Sequence, residues 1–534
     1  MGGGTSSYKE IEETDCVLLW GSNARETHPI FFHHLLKGLR RGARLIAIDP
    51  RRTSSAEWAD VWAGLDVGSD IALSNTIAHE IIDAGLTNTE FVRNATSGFD
   101  EYCRSVQAWT LARGEQETGV PAAVIREIAH TFAKAPRATI CWTLGITEHH
   151  TAVDNVLSLI NLALLTGHVG RWGAGINPLR GQNNVQGGGD MGALPDRLPG
   201  FQHVENDPLR AKFDRAWGTA VPPAKGWHLS EMFEAMGRGA LRALYVIGEN
   251  PVQSEADQHR ATRILNTLDF LIVQDLFMTG TAALADVVFP AAAAAFEAEG
   301  TVTSSERRVQ RLRRVKTPEG ESRDDLAIIF ALAKTMGHDW GEPSAERVWD
   351  ELRSLSPVHA GMSYRRLEAL DGLQWPCYDE SHPGEAFLHS RLWERPVVGP
   401  RAPFHVVEHQ PPVEHLDADY PFRLTTGRRL AEYNTGVQTG AYRSPVRRGE
   451  TIDISPEDAS TLRVIEGETV RVRSRRGQVM VPVHVDDSLR PGLTFMTFHF
   501  PDDVATNLLT IDAQDHKSGT AEFKAAAIAI DPLN

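Results

Sequence analysis

Arg180 opens the most chemically pointed stretch of the chain. From Ile176 to Pro195 the sequence reads INPLRGQNNVQGGGDMGALP, with Gln182, Asn183, Asn184 and Gln186 following the arginine. Too few apolar positions are present for an amphipathic helix or an alternating strand, so an irregular loop is expected. Its glycines let the backbone turn sharply and approach a bulky ligand closely. The uncharged amides offer donors and acceptors suited to the edge of a heterocycle. The Arg180 guanidinium offers a planar fork for a carboxylate or a phosphate. A polar surface loop between domains has the same composition and is the plain alternative.

Other residues able to act on a ligand stand where strands end. Cys16–Trp20 (CVLLW) is a short apolar strand closed by Gly21, Ser22 and Asn23. A helix starts at Pro29 and ends near Gly42, and Arg44–Ile48 (RLIAI) is a second strand, closed by Asp49, Pro50 and Arg51. Strand, turn, helix and strand in so short a space predict a βαβ unit with a parallel sheet. The turn lacks a G-x-G-x-x-G pattern, so a simple nicotinamide fingerprint is absent. Even so, the carboxyl ends of parallel strands are where such sheets receive ligands. Asp49 fits a ribose or guanine contact and equally fits a turn former.

Gly68, Ser69 and Asp70 open a helix running to about Ala84, and Pro121–Lys134 is another. Thr139–Thr143 is a strand ending in Gly145–His150 (GITEHH), within which Gly145, Ile146 and Thr147 continue the pattern of ligand-facing turns. The adjacent His149 and His150 suit a metal site or an ordinary polar loop. Val153–Gly167 is a strongly apolar helix leading into the Arg180 stretch.

The logic then repeats. Leu241–Ile247 is a strand closed by Gly248, Glu249, Asn250 and Pro251. A helix follows around Asp257–Asn266, then strand Phe270–Gln274 ending at Asp275, then Asp286–Phe289. The matched turns GSN and GEN suggest two related half-sites for one two-part ligand or for two copies of a ligand. Glu297–Gln310 reads as a polar loop ending in Arg307 and Arg308, either solvated or facing a ligand. Residues 395–415 are proline-rich and read as a linker. Beyond it, Phe422–Thr426, Thr451–Ile454, Thr469–Ser474, Val479–Val485 and Leu493–Phe498 alternate as short strands, which predicts a small β-barrel.

Composition bounds the function. A chain of 534 residues exceeds a single core, so two to four domains are expected. A net charge of −16 without a basic stripe argues against a nucleic-acid partner. It also means that a small anionic substrate needs a local cationic entrance. No apolar run of about eighteen residues and no charged-then-apolar leader occur, so no transmembrane segment and a cytoplasmic location are expected. Cys16, Cys103, Cys141 and Cys377 stand far apart with no Cys-x-x-Cys, so buried structural thiols are expected rather than a metal site, cluster or disulfide.

Taken together, these residues resemble the catalytic subunits of molybdopterin-dependent formate dehydrogenases, among the enzymes that carry bis-molybdopterin guanine dinucleotide. The resemblance runs from about residue 8 to about residue 527. It rests on Gly21–Asn23 with His28-Pro29, Asp49–Arg51, Gly68–Asp70, Gly145–Thr147 and Leu165–Gly167. It continues through Asn177–Pro195, Gly248–Pro251, Gln274-Asp275, Glu299–Thr301 and Ser305–Arg308. Leu424–Arg428, Phe498–Phe500, Asn507–Leu509 and Glu522–Lys524 complete it. The R-G-Q-N-N-V-Q string is specific to the formate dehydrogenase branch.

The resemblance implies an α/β protein with three domains: residues 1–182 and 183–400, each a parallel-sheet dinucleotide-binding domain, and a barrel over 401–534. It implies that Arg180 clamps formate. It also implies that Gly21, Ser22, Asn23, Asp49, Pro50, Arg51, Gly68, Asp70, Gly145, Ile146, Thr147, Gln182 and Asn183 contact the cofactor. Gly248, Glu249, Asn250, Gln274, Asp275, Thr426, Gly427, Arg428, Asn507 and Lys524 join them, and the metal is molybdenum or tungsten.

One expected feature is absent. The family carries a four-iron, four-sulfur domain and then a cysteine or selenocysteine followed by histidine, which ligates the metal. Here the cysteines are followed by Val17, Arg104, Trp142 and Tyr378. Another departure is Gly188-Gly189, where relatives commonly carry Ala-Cys. A start placed downstream of the ligand, a split enzyme whose cluster comes from a partner chain, and a non-catalytic cofactor-binding module are the alternatives. An electron-accepting subunit is expected as a partner, and poor solubility is expected for the chain alone. Nitrate or an arsenic oxyanion is the alternative substrate, and Arg180 among amides favours formate.

Overall fold

The computed structural model describes residues 2–436 and 449–533. The chain divides into two compact units: Gly4–Leu179 with Gln253–His259 and Phe387–Asn534, and Met1–Gly3 with Arg180–Val252 and Arg260–Ala386.

In the first unit, five strands form an all-parallel sheet in the order Val61–Ala63, Arg44–Ile48, Cys16–Trp20, Ala138–Trp142 and Gly175–Pro178. Cys16–Trp20 and Ala138–Trp142 are buried along their whole length, which is why they read as unbroken apolar runs. Leu18 and Trp20 face a core that includes Ile77, Ile128, Phe132 and Leu159. Val17 and Leu19 face a second core with Phe31, Phe32 and Leu35. The period-two alternation of side chains thus puts helices on both faces. Among them, Pro29–Arg40 starts on its proline and Asp70–Asp83 on its acidic residue, both favourable at a helix N-terminus.

The same unit ends in a closed barrel of six strands, in the order Phe422–Gly427, Leu493–Thr497, Ile452–Ile454, Gln478–Val485, Thr469–Arg473 and Ala526–Pro532. Val470, Val472, Val479, Val481 and Val483 fill it from alternating positions. The last strand, AAIAIDP, had no expected counterpart: five of its seven residues are buried, so it shows little polar alternation.

The proline-rich segment is a strap rather than a free linker. Ala402–Pro403 pairs in parallel with Thr96–Ser97. The Phe404 ring stacks on Tyr102 at 5.0 Å, and Asn161 bonds both backbone groups of His405. Proline limits sheet pairing but leaves carbonyls and side chains free to anchor. Phe404→Ala is expected to lower the unfolding free energy by about 3 kcal/mol, seen as a lower thermal midpoint; an unchanged midpoint would show that the ring holds nothing.

The second unit has a parallel sheet in the order Val287–Pro290, Phe270–Asp275 and Ala243–Ile247. The expected polar loop at Glu297–Gln310 is instead a hairpin, Gly300–Thr303 against Arg308–Leu312, extended by Leu373–Gln374. Two of its arginines, Arg307 and Arg311, are withdrawn from solvent, while Arg308 stays part-exposed. Arg307 is fully buried, donating to the carbonyls of Trp375, Glu385 (3.0 Å) and Ala386 (2.7 Å). Arg311 lies over the Tyr364 ring at 3.3 Å. Among the described residues, no helix is long and apolar enough to cross a membrane.

Candidate functional site

In the five-stranded sheet the strand order reverses between Cys16–Trp20 and Ala138–Trp142, the place in an open parallel sheet where ligands bind beyond the carboxyl ends. Gly21 and Gly145 face each other there. The Gly145 amide donates to the Gly21 carbonyl at 3.2 Å, and Thr143 Oγ1 donates to the same oxygen at 2.7 Å. A Cβ on Gly145 would stand 2.5 Å from Gly21 O, so no other residue fits without moving backbone. Gly21 also takes φ +54°, which glycine adopts without penalty.

Asn23 fixes the turn from within. Its Oδ1 accepts from Ser54 Oγ (3.1 Å), Ser55 N (3.2 Å) and Ser55 Oγ (2.8 Å). Asp49 accepts from the Arg51 amide at 3.0 Å, an Asx turn. Burial raises the Asp49 carboxyl above its ordinary value, against the pull of Arg51. Arg51 lies over the Phe495 ring at 3.5 Å. Gly427 packs on that ring, where a Cβ would come within 2.9 Å.

The same construction recurs in the second unit. Gly248 takes φ +63°, and Asn250 Oδ1 accepts from Thr281 N (3.1 Å) and Thr281 Oγ1 (2.8 Å). The Val252 amide donates to Thr281 Oγ1 at 3.1 Å, as the Arg25 amide donates to Ser55 Oγ at 2.9 Å. Asp286 accepts from Leu271 N at 2.7 Å, as Asp60 accepts from Leu45 N at 2.8 Å. Asp275 accepts from Phe277 N at 3.1 Å, in the manner of Asp49. The repeat was legible in the sequence as TSSAEWADV from Thr53 and TGTAALADV from Thr279, a signal the matched GSN and GEN turns only hinted at.

The remaining candidates of this second half divide. Gly248 and Glu249 are exposed, and Asp275 is half-buried. Gln274 is fully buried with both ends engaged: its Oε1 accepts from Tyr245 Oη and its Nε2 donates to Asp325 at 2.6 Å.

In the first unit, residues 145–150 meet the barrel. Ile146 O accepts from Asn155 Nδ2 at 3.0 Å, and Thr147 ends the short helix Leu144–Thr147. His149 and His150 both bond the buried Glu522 carboxylate. Burial opposes that carboxylate's charge, yet His149 and the hydrogen bonds from both histidines hold its pKa far below the ordinary range. Lys524 Nζ donates to Thr426 O (3.0 Å) and pairs with Glu148 (2.7 Å), while Thr426 Oγ1 donates to Phe523 O (2.8 Å). The two histidines therefore serve an ion-paired seam, and among the described residues no group of His, Cys, Asp and Glu is arranged to hold a metal. Asp70 heads its helix, where its carboxylate accepts from Trp20 Nε1 at 2.8 Å. Gly68 sits against the Pro412 ring. Arg428 bonds Asn434, and Asn507 donates to the carbonyls of Gln253 (2.9 Å) and Ser254 (3.2 Å).

The Arg180 stretch is less irregular than expected. Val185–Asp190 (VQGGGD) is a helix despite its three glycines. Side-chain bonds replace the missing propensity: Gln186 Nε2 donates to Asp190 Oδ1 at 2.8 Å, one turn away. Asp190 is buried, and its other oxygen accepts from Trp375 Nε1 at 2.7 Å. Burial pushes the Asp190 carboxyl up to about 6, against the pull of Gln186, Trp375 and Arg180. The Arg180 amide donates to Ser305 Oγ at 2.9 Å and its Nη2 to Gly2 O at 3.4 Å. Arg180 and Gln182 are half-buried and Asn183 is exposed. Asp190 and Trp375 were not singled out from sequence, because a lone aspartate and a tryptophan so far apart carry no local pattern.

The cysteines have no part in these arrangements. Cys16, Cys141 and Cys377 are buried, and desolvation raises the first two thiols to about 12.

Comparison with known proteins adds to this geometry. Residues 3–335 match the family model Molybdopterin oxidoreductase, and residues 422–527 match Molydopterin dinucleotide binding domain. The chain is 41% identical over 536 residues to F420-dependent formate dehydrogenase 2 subunit alpha of Methanococcus maripaludis, covering 99% of this chain and 78% of that protein. It is 36% identical over 535 residues to Formate dehydrogenase H of Escherichia coli, covering 99% and 74%. Among solved structures, Acetylene Hydratase from Pelobacter acetylenicus superposes with a TM-score of 0.76 at 21% identity, covering 99% of this chain and 79% of that one. That likeness establishes the fold.

Proposed function

The chain belongs to the molybdopterin oxidoreductase family, and from that premise we propose that it holds the bis-molybdopterin guanine dinucleotide of a formate dehydrogenase catalytic subunit. The reaction is oxidation of formate to CO2, releasing one proton and two electrons. The observation that carries the reading is the duplicated turn, Gly21 to Asn23 braced by Ser55 and Gly248 to Asn250 braced by Thr281. One such turn suits one dinucleotide arm, because glycine-shaped turns at strand ends present backbone N–H groups to phosphates.

The residues present fit the group. Ser22 Oγ, Gln186 Oε1 and Thr506 Oγ1 are buried and bond to no described protein atom. Buried polar atoms left this way are rare in native structures and point to a bound polar partner. Gly21 to Asn23, Asp49 to Arg51, Gly68, Asp70 and Gly145 to Thr147 would hold one arm. Gly248 to Asn250 and Asp275 would hold the other, with Gln274 behind them, its carbonyl accepting from the Gly248 amide at 2.8 Å. Gln182, Asn183, Thr426, Gly427, Arg428, Asn507 and Lys524 would contact the pterins. When bound, the metal centre accepts the two electrons of formate oxidation.

Arg180 binds the formate carboxylate and sets the direction of its C–H bond. Its two-pronged donor geometry matches a carboxylate better than a point charge does. Ser305 fixes the Arg180 backbone, and the buried Asp190 stabilises the guanidinium charge against desolvation. Electrons then pass to an acceptor subunit, with an iron–sulfur centre supplied by a partner or by protein outside these residues.

The test is analysis of the protein purified without oxygen from its source. Molybdenum or tungsten with two guanine nucleotides per metal, and formate-dependent reduction of a viologen dye, are the expected results. Absence of guanine nucleotide would overturn the cofactor assignment. Nucleotide without formate turnover would identify a cofactor-holding module.

A further inference from the structure

His149 is buried with acceptors on both ring nitrogens. Nε2 lies 3.1 Å from the Gly145 carbonyl and Nδ1 lies 3.1 Å from Glu522 Oε1. A carbonyl only accepts, so Nε2 carries a proton. The Glu522 carboxylate is itself ringed by donors: Lys524 N at 3.2 Å on Oε1, His150 N at 3.0 Å and His150 Nδ1 at 3.2 Å on Oε2. It is ionised, and it also only accepts. Both His149 nitrogens therefore donate, and the ring is an imidazolium held out of water.

The bond to Gly145 matters because that same residue's amide donates to Gly21 O, at the strand ends where the sheet order reverses. The Gly145 turn is thus gripped from both sides, by Gly21 through its N–H and by His149 through its carbonyl. Glu522 belongs to the barrel end of the chain, and its neighbour Phe523 donates its amide to Glu148 O at 3.2 Å.

We propose that His149 is a positioning residue, an imidazolium that Glu522 holds against the Gly145 carbonyl, so that seating of the barrel sets the shape of the cofactor-receiving turn. This deepens the cofactor reading and rests on it.

The charges facing His149 are Glu522 from the barrel, Asp70 at the head of its helix, Lys524, and the adjoining Glu148 and His150. Burial lowers the His149 pKa, but Glu522 and Asp70 more than offset this and leave it raised. The folded-state pKa being raised, the stabilisation is complete below the ordinary histidine value and is lost as pH rises through the raised one. The cradle should therefore loosen on the alkaline side, above the ordinary histidine range.

The experiment measures guanine nucleotide retained by the native protein after gel filtration at increasing pH, for wild type, Glu522→Gln and His149→Gln. Wild type is expected to hold its nucleotide below the ordinary histidine range and to release it in a step above that range. Glu522→Gln should move that step down by about one pH unit or more, since a unit is the scale of one close charge. His149→Gln should remove the step and lower retention at least about tenfold. Superimposed release curves would overturn the proposal.

A second measurement, nitrogen NMR of the wild-type protein labelled at histidine, does not depend on the variants folding or on cofactor. Two protonated nitrogens on one buried ring at pH about 6.5, the ordinary histidine value, are expected, and only singly protonated buried rings would overturn the proposal. Wild type with no nucleotide at any pH but with the doubly protonated ring would refute the cofactor reading and leave the imidazolium standing.

Discussion

Arg180→Lys is expected to lower kcat/KM for formate by about ten- to a hundredfold, the loss of about 1.5–3 kcal/mol that a charge-assisted fork contributes. Lysine keeps the charge but presents it as a single point on a flexible stem, so it cannot fix both oxygens of a carboxylate at once. The surroundings of Arg180 sharpen the expectation. Its amide is fixed by Ser305 at 2.9 Å, one guanidinium nitrogen reaches Gly2 O at 3.4 Å, and the Asp190 carboxylate lies near enough to support its charge. A lysine ammonium would have to satisfy Gly2 O, Asp190 and the substrate from one nitrogen. Guanine nucleotide content should stay at the wild-type level. Unimpaired formate turnover would sink the assignment of Arg180 as the substrate clamp, and loss of nucleotide in parallel with turnover would make it a cofactor residue instead.

Gly145→Ala is expected to be severely damaging, lowering stability by about 3 kcal/mol and removing bound nucleotide. The added carbon would lie 2.5 Å from Gly21 O and 2.7 Å from Gly21 Cα, and backbone at the end of two buried, paired strands has nowhere to go. Gly248→Ala is the matched control. Gly248 has the same left-handed conformation as Gly21, φ +63° against +54°, but nothing lies within 4 Å of its missing Cβ. Only conformational strain is incurred there, about 1 kcal/mol. Denaturant unfolding of both variants checks the contrast. Equal, small losses would mean that the approach of the two glycine turns is soft rather than tightly determined.

The contrast also shows where sequence reading stops. GSN and GEN look alike in sequence, and both do close parallel strands with an asparagine bracing the turn onto the next connection. Whether a neighbouring turn presses on the glycine depends on strand order, which neither tripeptide encodes. Likewise the hairpin at Gly300–Leu312 hid behind arginines that look solvated, because nothing local says that Arg307 will find the carbonyls of Trp375, Glu385 and Ala386.

The sequence by itself determined what depends on near neighbours. Continuous apolar runs closed by glycine marked the parallel strands, since a strand buried on both faces has no polar alternation to show. Alternating residues marked the barrel strands, and the RGQNNVQ string marked the arginine and its amides. The tertiary structure alone decided what depends on groups far apart in the chain. It made a strap of the proline-rich segment and a helix of VQGGGD braced by Asp190. It also set the charge state of His149, whose neighbour His150 meets Glu522 across 372 positions. The physical reason is that burial and protonation are properties of a surrounding, and most of the surrounding of a buried group is contributed by residues that no local window contains.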